Sequence, residues 1–346
     1  MIGFHQHLHA NRATADAMLD QMAQEHWDNL SEKLPNGNGY LERSLPEYCA
    51  TLRKKLKLKR TQKKLEIAPQ DVQAIDDFFA WLTASDYEML KKIIVCRPAD
   101  FKAMRADIVA ILPERIFYDG KQTPFGAKLV SDLFKYNPFR QSDYCLEFFA
   151  DKLKIGESYC VYCNIGETDV VDDNPGPKAG RDLKAYLDVD HFLDQARNPF
   201  FALSFYNLVP SCVTCNRWVK KRAPFSLDTH VHPFHQAFDD LYRFVYLGPG
   251  KIDIIKHRKK PKDRTVKDLK ILKRTAHRVK ILENQLDWYV KYSRGGFSTT
   301  KEKEMFVEHF ASFIPAKKQD MLKFSRGKLF RDVFEKIDEA NRLLGL

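Results

Sequence analysis

Two C-x-x-C pairs, Cys160/Cys163 and Cys212/Cys215, constrain this chain more than any other feature. One tight turn can offer two thiolates to the same ion, and zinc prefers tetrahedral sulfur. Two such knuckles close a four-sulfur site that leaves no position for water or substrate, so the zinc they imply is structural. The knuckles bracket the forty-eight residues 164–211, and a shared ion would pin the ends of that insertion together. A segment so poor in core residues gains from the metal a stability that burial does not supply. Unliganded buried thiols or a redox pair are the alternative for the same four residues. In a reducing compartment paired cysteines favour metal over disulfide. The other three of the seven cysteines, Cys49, Cys96 and Cys145, are isolated and read as small core residues.

At 346 residues the chain has room for two or three domains or subdomains, and 44% hydrophobic residues permit a sizeable core. Residues 1–150 read as a helical region, with helices expected over 13–34, 46–60, from 69 onward, 85–96 (opened by a Ser85 cap), 101–112, 123–136 and 142–153. Residues 151–250 change character. Short β-type runs replace the helical period at 185–190 and 207–210, a helix is expected over 212–221, and PGPKAG at 175–180 reads as a turn with a basic tip. Residues 239–247 start helical and end strand-like. Residues 251–346 turn helical again, over 265–292, 300–313 and 317–344. No apolar run approaches the roughly 18 residues of a membrane helix, and the first residues lack the pattern of a secretory signal. A cytoplasmic protein without membrane contact is the expectation.

The formal net charge is +11, a balance that suggests a polyanionic partner. The charge is focused in two places. Residues 251–280 hold thirteen basic side chains against three acids, and residues 53–64 hold eight basic side chains and no acid. The first stretch, with Arg258, Lys259 and Lys260 at its centre, reads as a nucleic-acid track. A plain solvated helix face would carry interspersed acids. A docking surface for an acidic protein is the competing reading.

Between the knuckles lies Leu187-Asp188-Val189-Asp190-His191-Phe192. Further on comes the run Asn207-Leu208-Val209-Pro210-Ser211-Cys212, and Asn216 follows Cys215 directly. A phosphodiester repels nucleophiles with its own charge. A histidine largely neutral near pH 7, such as His191, can take a proton from water. A hard cation wants oxygen ligands, which Asp190 and Asn216 offer. Asp188, two residues before Asp190 on a strand, faces the same side and competes for the ion. Arg217, Lys220 and Lys221, on the helix after Asn216, are placed to hold a phosphate backbone.

These residues resemble the HNH endonucleases, also called ββα-metal nucleases. The order Asp190-His191, Asn207, Asn216, with two C-x-x-C pairs around it, is similar to that family over residues 158–246. The departure is Leu193-Asp194-Gln195, where a proline and a lysine or polar group are common in the family. The resemblance implies an α+β chain, mainly α, with a ββα-metal core, a structural zinc and helical flanks. It implies phosphodiester hydrolysis, with His191 as base, Asp190 and Asn216 on Mg²⁺ or another divalent cation, and Asn207 holding the loop that aims the histidine. DNA is favoured as substrate over RNA. One such site cuts one strand, so double-strand cutting would need two copies; the oligomeric state is not legible.

His230, His232 and His235 are expected to turn the chain against the core rather than to bind metal. His5, His7 and His9 read as solvated. The layout is similar to HNH effectors of bacterial anti-phage systems, such as Septu and related retron nucleases, which implies an ATPase partner held by the helical flanks. A non-catalytic zinc-binding nucleic-acid module and a scaffolding subunit are the alternatives.

Overall fold

Asn11, Ser44, Thr123 and Ser142 each cap a helix, with a side-chain oxygen accepting the backbone N–H of Thr14, Glu47, Gly126 and Cys145. Each cap contributes about 1 kcal/mol. The computed structural model describes residues 2–174, 182–221 and 223–346, so the turn expected at 175–180 lies outside the described residues. The chain is mainly helical, with four small two-stranded antiparallel sheets among the described residues.

The N-terminal region contains helices Arg12–Leu30, Leu45–Leu56, Val72–Ile94 and Phe101–Ile111. Phe78, Phe79, Leu82, Leu90, Ile93 and Ile94 recur at helical spacing and are fully buried. Ser85 does not cap a helix. Ser85, Asp86 and Tyr87 adopt left-handed backbone (φ 48°, 53° and 65°). The kink places the Asp86 carboxylate to accept from the Tyr40 hydroxyl at 2.8 Å and Lys33 Nζ at 3.0 Å. The stretch expected as one helix over 46–60 breaks after Leu56 and resumes at Lys59–Lys64. Strands β1 (Tyr118–Asp119) and β2 (Lys121–Gln122) form a small hairpin.

The central region carries β3 (Val170–Asp172) paired with β4 (Leu183–Ala185), then β5 (Asp188–His191) paired with β6 (Leu208–Ser211). The single strand expected over 185–190 is therefore two, belonging to different ribbons. β7 (Tyr242–Gly248) and β8 (Lys251–Lys256) make the longest hairpin. Gly248 and Gly250, at φ 117° and 73°, supply its turn. An expected domain boundary at 250 falls inside this hairpin. Residues 251–256 are strand rather than lead-in to a helix because Tyr242, Phe244 and Ile252 bury one face of the pair.

The helix expected over 265–292 is three: Thr265–Asp268, Ile271–Ala276 and Val279–Gly295. Lys270 sits at φ 51°, outside the helical range, and interrupts it. The last stretch splits into Lys318–Lys323 and the helix Gly327–Asp338. Buried apolar side chains from all three regions form one contiguous core, and Phe192, Phe200, Phe201, Phe205 and Val209 belong to it, which corrects the reading of the insertion between the knuckles as poor in core residues. The chain start is built into it: Ile2 N–H donates to the Val161 carbonyl at 2.7 Å and Phe4 N–H to Pro233 at 2.8 Å. This corrects the solvated reading of the first histidines. His5 and His7 are buried, and the His7 ring nitrogens lie 3.0 Å from the Gln319 and Lys154 carbonyls; His9 is exposed. No described helix is long and apolar enough to cross a membrane.

Candidate functional site

All four paired cysteines are buried, and their sulfurs lie within 4.8 Å of one another. Among the described residues they are the one group of three or more His, Cys, Asp or Glu side chains placed to share an ion. Cys163 and Cys212 sulfurs are 3.9 Å apart. Tetrahedral zinc with bonds near 2.3 Å separates its sulfurs by about 3.8 Å, whereas a disulfide needs about 2.05 Å. The cluster therefore fits zinc. The first knuckle turns at Asn164 (φ 54°), whose N–H donates to Cys160 O at 2.7 Å. A Cβ at Gly166 would lie 2.9 Å from the Cys212 sulfur, so only glycine allows this approach. Arg274 Nη1 donates to the Cys215 sulfur at 3.1 Å, which offsets negative charge on a four-thiolate site.

The knuckle also reaches outward. The Asn164 amide donates to the Met321 and Phe324 carbonyls at 2.9 and 3.1 Å and accepts from Lys328 N–H at 2.9 Å. The Tyr162 hydroxyl donates to Asp190 Oδ2 at 2.7 Å. A zinc at the cysteines would thus hold both the C-terminal region and a candidate catalytic carboxylate.

β5, β6 and the site helix Thr214–Lys220 form a strand–strand–helix unit, with the second knuckle running from Cys212 in the connection to Cys215 in the first turn of the helix. Asp190 pairs across the ribbon with Val209, and His191 with Leu208. The helix is widened, with Lys221 N–H reaching back to Asn216 O at 3.0 Å. Two residues from the helix Tyr136–Arg140 fasten β5. The Tyr136 hydroxyl donates to the Val189 carbonyl at 2.8 Å, and Arg140 donates to the Leu187 carbonyl.

His191 is partly exposed, and its Nε2 lies 2.9 Å from the Ala202 carbonyl. The Gln195 amide nitrogen lies 3.3 Å from the same Nε2, but the Ala202 carbonyl is nearer and only accepts, which assigns the ring hydrogen to Nε2 and leaves Nδ1 as the basic nitrogen. Burial pushes the imidazole down to about 4, so it is neutral at pH 7. The Tyr136 ring packs 4.4 Å from it, centroid to centroid. Asn207, fully buried, sits in a turn just before β6 rather than on a strand. Its Oδ1 accepts Leu193 N–H at 2.7 Å, its Nδ2 donates to Phe201 O at 3.0 Å, and its carbonyl accepts Phe192 N–H at 2.9 Å. Asn207 therefore braces the chain on both sides of the His191–Ala202 contact.

Asp190 is buried, and Lys220 Nζ lies 2.8 Å from its carboxylate and also donates to the His191 carbonyl. Burial pushes the Asp190 carboxyl above its ordinary range, against the opposing pull of Lys220 and Tyr162. Lys220 is 3% exposed. This corrects its reading as a phosphate contact. Replacing Lys220 with Ala strands a buried carboxylate and is expected to cost about 3–5 kcal/mol, read as a lower urea midpoint. Pairing that change with Asp190→Asn should recover most of the loss.

Asn216 does not meet Asp190 among the contacts of the described residues. Its Nδ2 lies 3.3 Å from Asp188 Oδ2, and Arg217 grips the same carboxylate at 2.7 and 2.8 Å. Asp188 is thus the partner of an arginine. The oxygen donors suit a hard cation by type. Their arrangement does not, because the ammonium of Lys220 sits on Asp190 and Asn216 is turned to Asp188. A divalent cation between Asp190 and Asn216 does not fit this arrangement.

Lys221, Arg258 and Lys259 are exposed. Lys260 is half-buried; its ammonium donates to the His230 carbonyl at 2.6 Å, and burial pulls it below the ordinary lysine range. It is a strap, not a free cation. His230 stacks on Phe225 at 3.5 Å and its Nε2 lies 3.2 Å from Asp268, while fully buried His232 packs 4.0 Å from Phe192. These histidines turn the chain against the core. Sequence reading missed Tyr136, Arg140, Tyr162 and Arg274. Tyr162 lies within the noticed knuckle, but nothing in the spacing shows which carboxylate it meets. Compared with family models, curated proteins and solved structures, the chain has no match.

Proposed function

We propose that the chain is an HNH-type endonuclease that hydrolyses phosphodiester bonds of DNA, with RNA as the second substrate. The observation that carries this reading is His191. It is a neutral imidazole with Nε2–H fixed on the Ala202 carbonyl, so Nδ1 is left to accept a proton. Asn207 holds that geometry in place from a buried position. His191 takes the proton from the attacking water, while exposed Arg258, Lys259 and Lys221 offer charge to the phosphate backbone. The HNH resemblance implies a divalent cation, most simply Mg²⁺, held by Asp190 and Asn216, which here meet Lys220 and Asp188 instead. Use of that cation by Asp190 requires the Lys220 ammonium to leave the carboxylate.

The zinc-loaded chain is to be incubated with supercoiled plasmid and with single-stranded DNA and RNA, with and without Mg²⁺ or Mn²⁺. The expected result is cation-dependent nicking that leaves 5′-phosphate and 3′-hydroxyl ends. Cleavage undiminished by removal of divalent cations, or products with 3′-phosphate ends, would contradict the reading. Its extension to an effector of anti-phage defence beside an ATPase rests on the sequence layout alone, and predicts low activity of the isolated chain.

The closed Asp190–Lys220 pair favours a second reading, a zinc-bearing nucleic-acid-binding module that does not cut. It predicts binding without cleavage under any divalent cation.

A further inference from the structure

Trp218 is the most exposed large hydrophobic side chain among the described residues, at 68%. It lies on the site helix, two residues from Asn216 and two from Lys220. Tyr186, 62% exposed, precedes β5 by two residues. Neither ring packs on another ring among the described residues. An indole and a phenol left in water near a candidate active site lose the burial that aromatic side chains normally gain.

Their positions are linked. Trp218 directly follows Arg217, and Arg217 grips Asp188, two residues after Tyr186. One guanidinium–carboxylate pair thus fastens together the two short segments that carry the exposed rings. The surroundings are basic. Arg217 keeps 63% of its side chain exposed, and Lys221 is exposed. The strongly basic segment 251–280 is tied to the same helix through Arg274 on the Cys215 sulfur.

We propose that Trp218 and Tyr186 form a stacking platform for unpaired nucleobases, making single-stranded or frayed nucleic acid the preferred substrate of the proposed nuclease. The inference rests on the nuclease reading for its substrate and on the exposed rings for its specificity. An aromatic face accepts any base once that base is unstacked, whereas a duplex hides its base faces. Adjacent cations supply the complementary charge for the backbone. An acidic protein surface would satisfy the charges, but a single strand brings a negative charge and a planar base together in every nucleotide, which matches cations set beside two exposed rings. DNA and RNA share the chemistry invoked.

The test uses the zinc-loaded full chain carrying His191→Ala, so that substrate survives the measurement. Oligo-dT, oligo-rU and a blunt hairpin duplex are titrated against tryptophan fluorescence and by anisotropy. Trp27 is buried and Trp81 and Trp288 are half-buried, so Trp218 dominates the quenching. Single strands are expected to quench the emission. Trp218→Ala should abolish the quenching and weaken single-strand binding about tenfold or more, while duplex binding changes less than about twofold. Trp218→Phe should restore most of the affinity, and Tyr186→Ala should weaken it in the same direction. Oligo-dT against oligo-rU reads the sugar preference. Equal loss for duplex and single strand, or parent-like single-strand binding by Trp218→Ala and Tyr186→Ala, overturns the proposal. Both variants are surface changes whose folding is checked by zinc content. Stacking without cleavage in the His191-intact chain would sink the nuclease reading alone. His191-dependent cleavage with no effect of Trp218→Ala would sink the platform alone.

Discussion

Cys160→Ser is expected to lose bound zinc and with it the ordered strand–strand–helix unit. Structural zinc contributes an apparent ~10–16 kcal/mol in small zinc domains, as large as the whole stability of many folded domains. The loss should be regional. The N-terminal helices bury Phe78, Phe79, Leu82, Leu90, Ile93 and Ile94 without help from the metal. Far-UV helicity should fall modestly, whereas proteolysis should open within residues 158–216. The knuckle carries Tyr162 on Asp190 and Asn164 on the segment 321–328, so cleavage sites should also appear near residue 325. Metal analysis by mass spectrometry, near-UV circular dichroism and limited proteolysis read this together. A Cys160→Ser protein that remains as protease-resistant as the parent would show that the four thiols pack without an ion.

The second large effect is at His191. Its ring hydrogen is committed to Ala202, and its position is braced by Asn207. A positioned general base contributes typically 10²–10⁴-fold, so His191→Ala should lower cleavage by at least that range. The substitution leaves the cysteines, Tyr162 and Lys220 in place, so zinc content and urea midpoint should stay near those of the parent.

The cysteine cluster was the most legible part of the site, because C-x-x-C fixes two sulfurs on one turn whatever surrounds them. Asn207 was legible as a brace, though its partners at Leu193 and Phe201 are set by the path of the intervening loop. Lys220 was not legible. Its placement among exposed basic neighbours suggests solvent, and only tertiary packing turns it inward to Asp190 and over the Phe225 ring at 4.9 Å. Asn216 is aimed at Asp188 by a widened helix, and no residue period announces such widening. The burial of His5 and His7 depends on the chain start meeting residues 154 and 319, distant in sequence. Strand β8 was hidden by its charge: three of its six residues, Lys251, Asp253 and Lys256, are charged and exposed, and the pairing shows only against β7.

Whether His191 is the base of a phosphodiesterase is decided by one side-by-side time course. Parent and His191→Ala, matched in zinc content, are given the same plasmid and single-stranded substrates with Mg²⁺ and with Mn²⁺. Cleavage by the parent and a loss of at least about a hundredfold in the variant are expected. Equal cleavage by both proteins, or no cleavage by the parent on any substrate with either cation, would contradict that role.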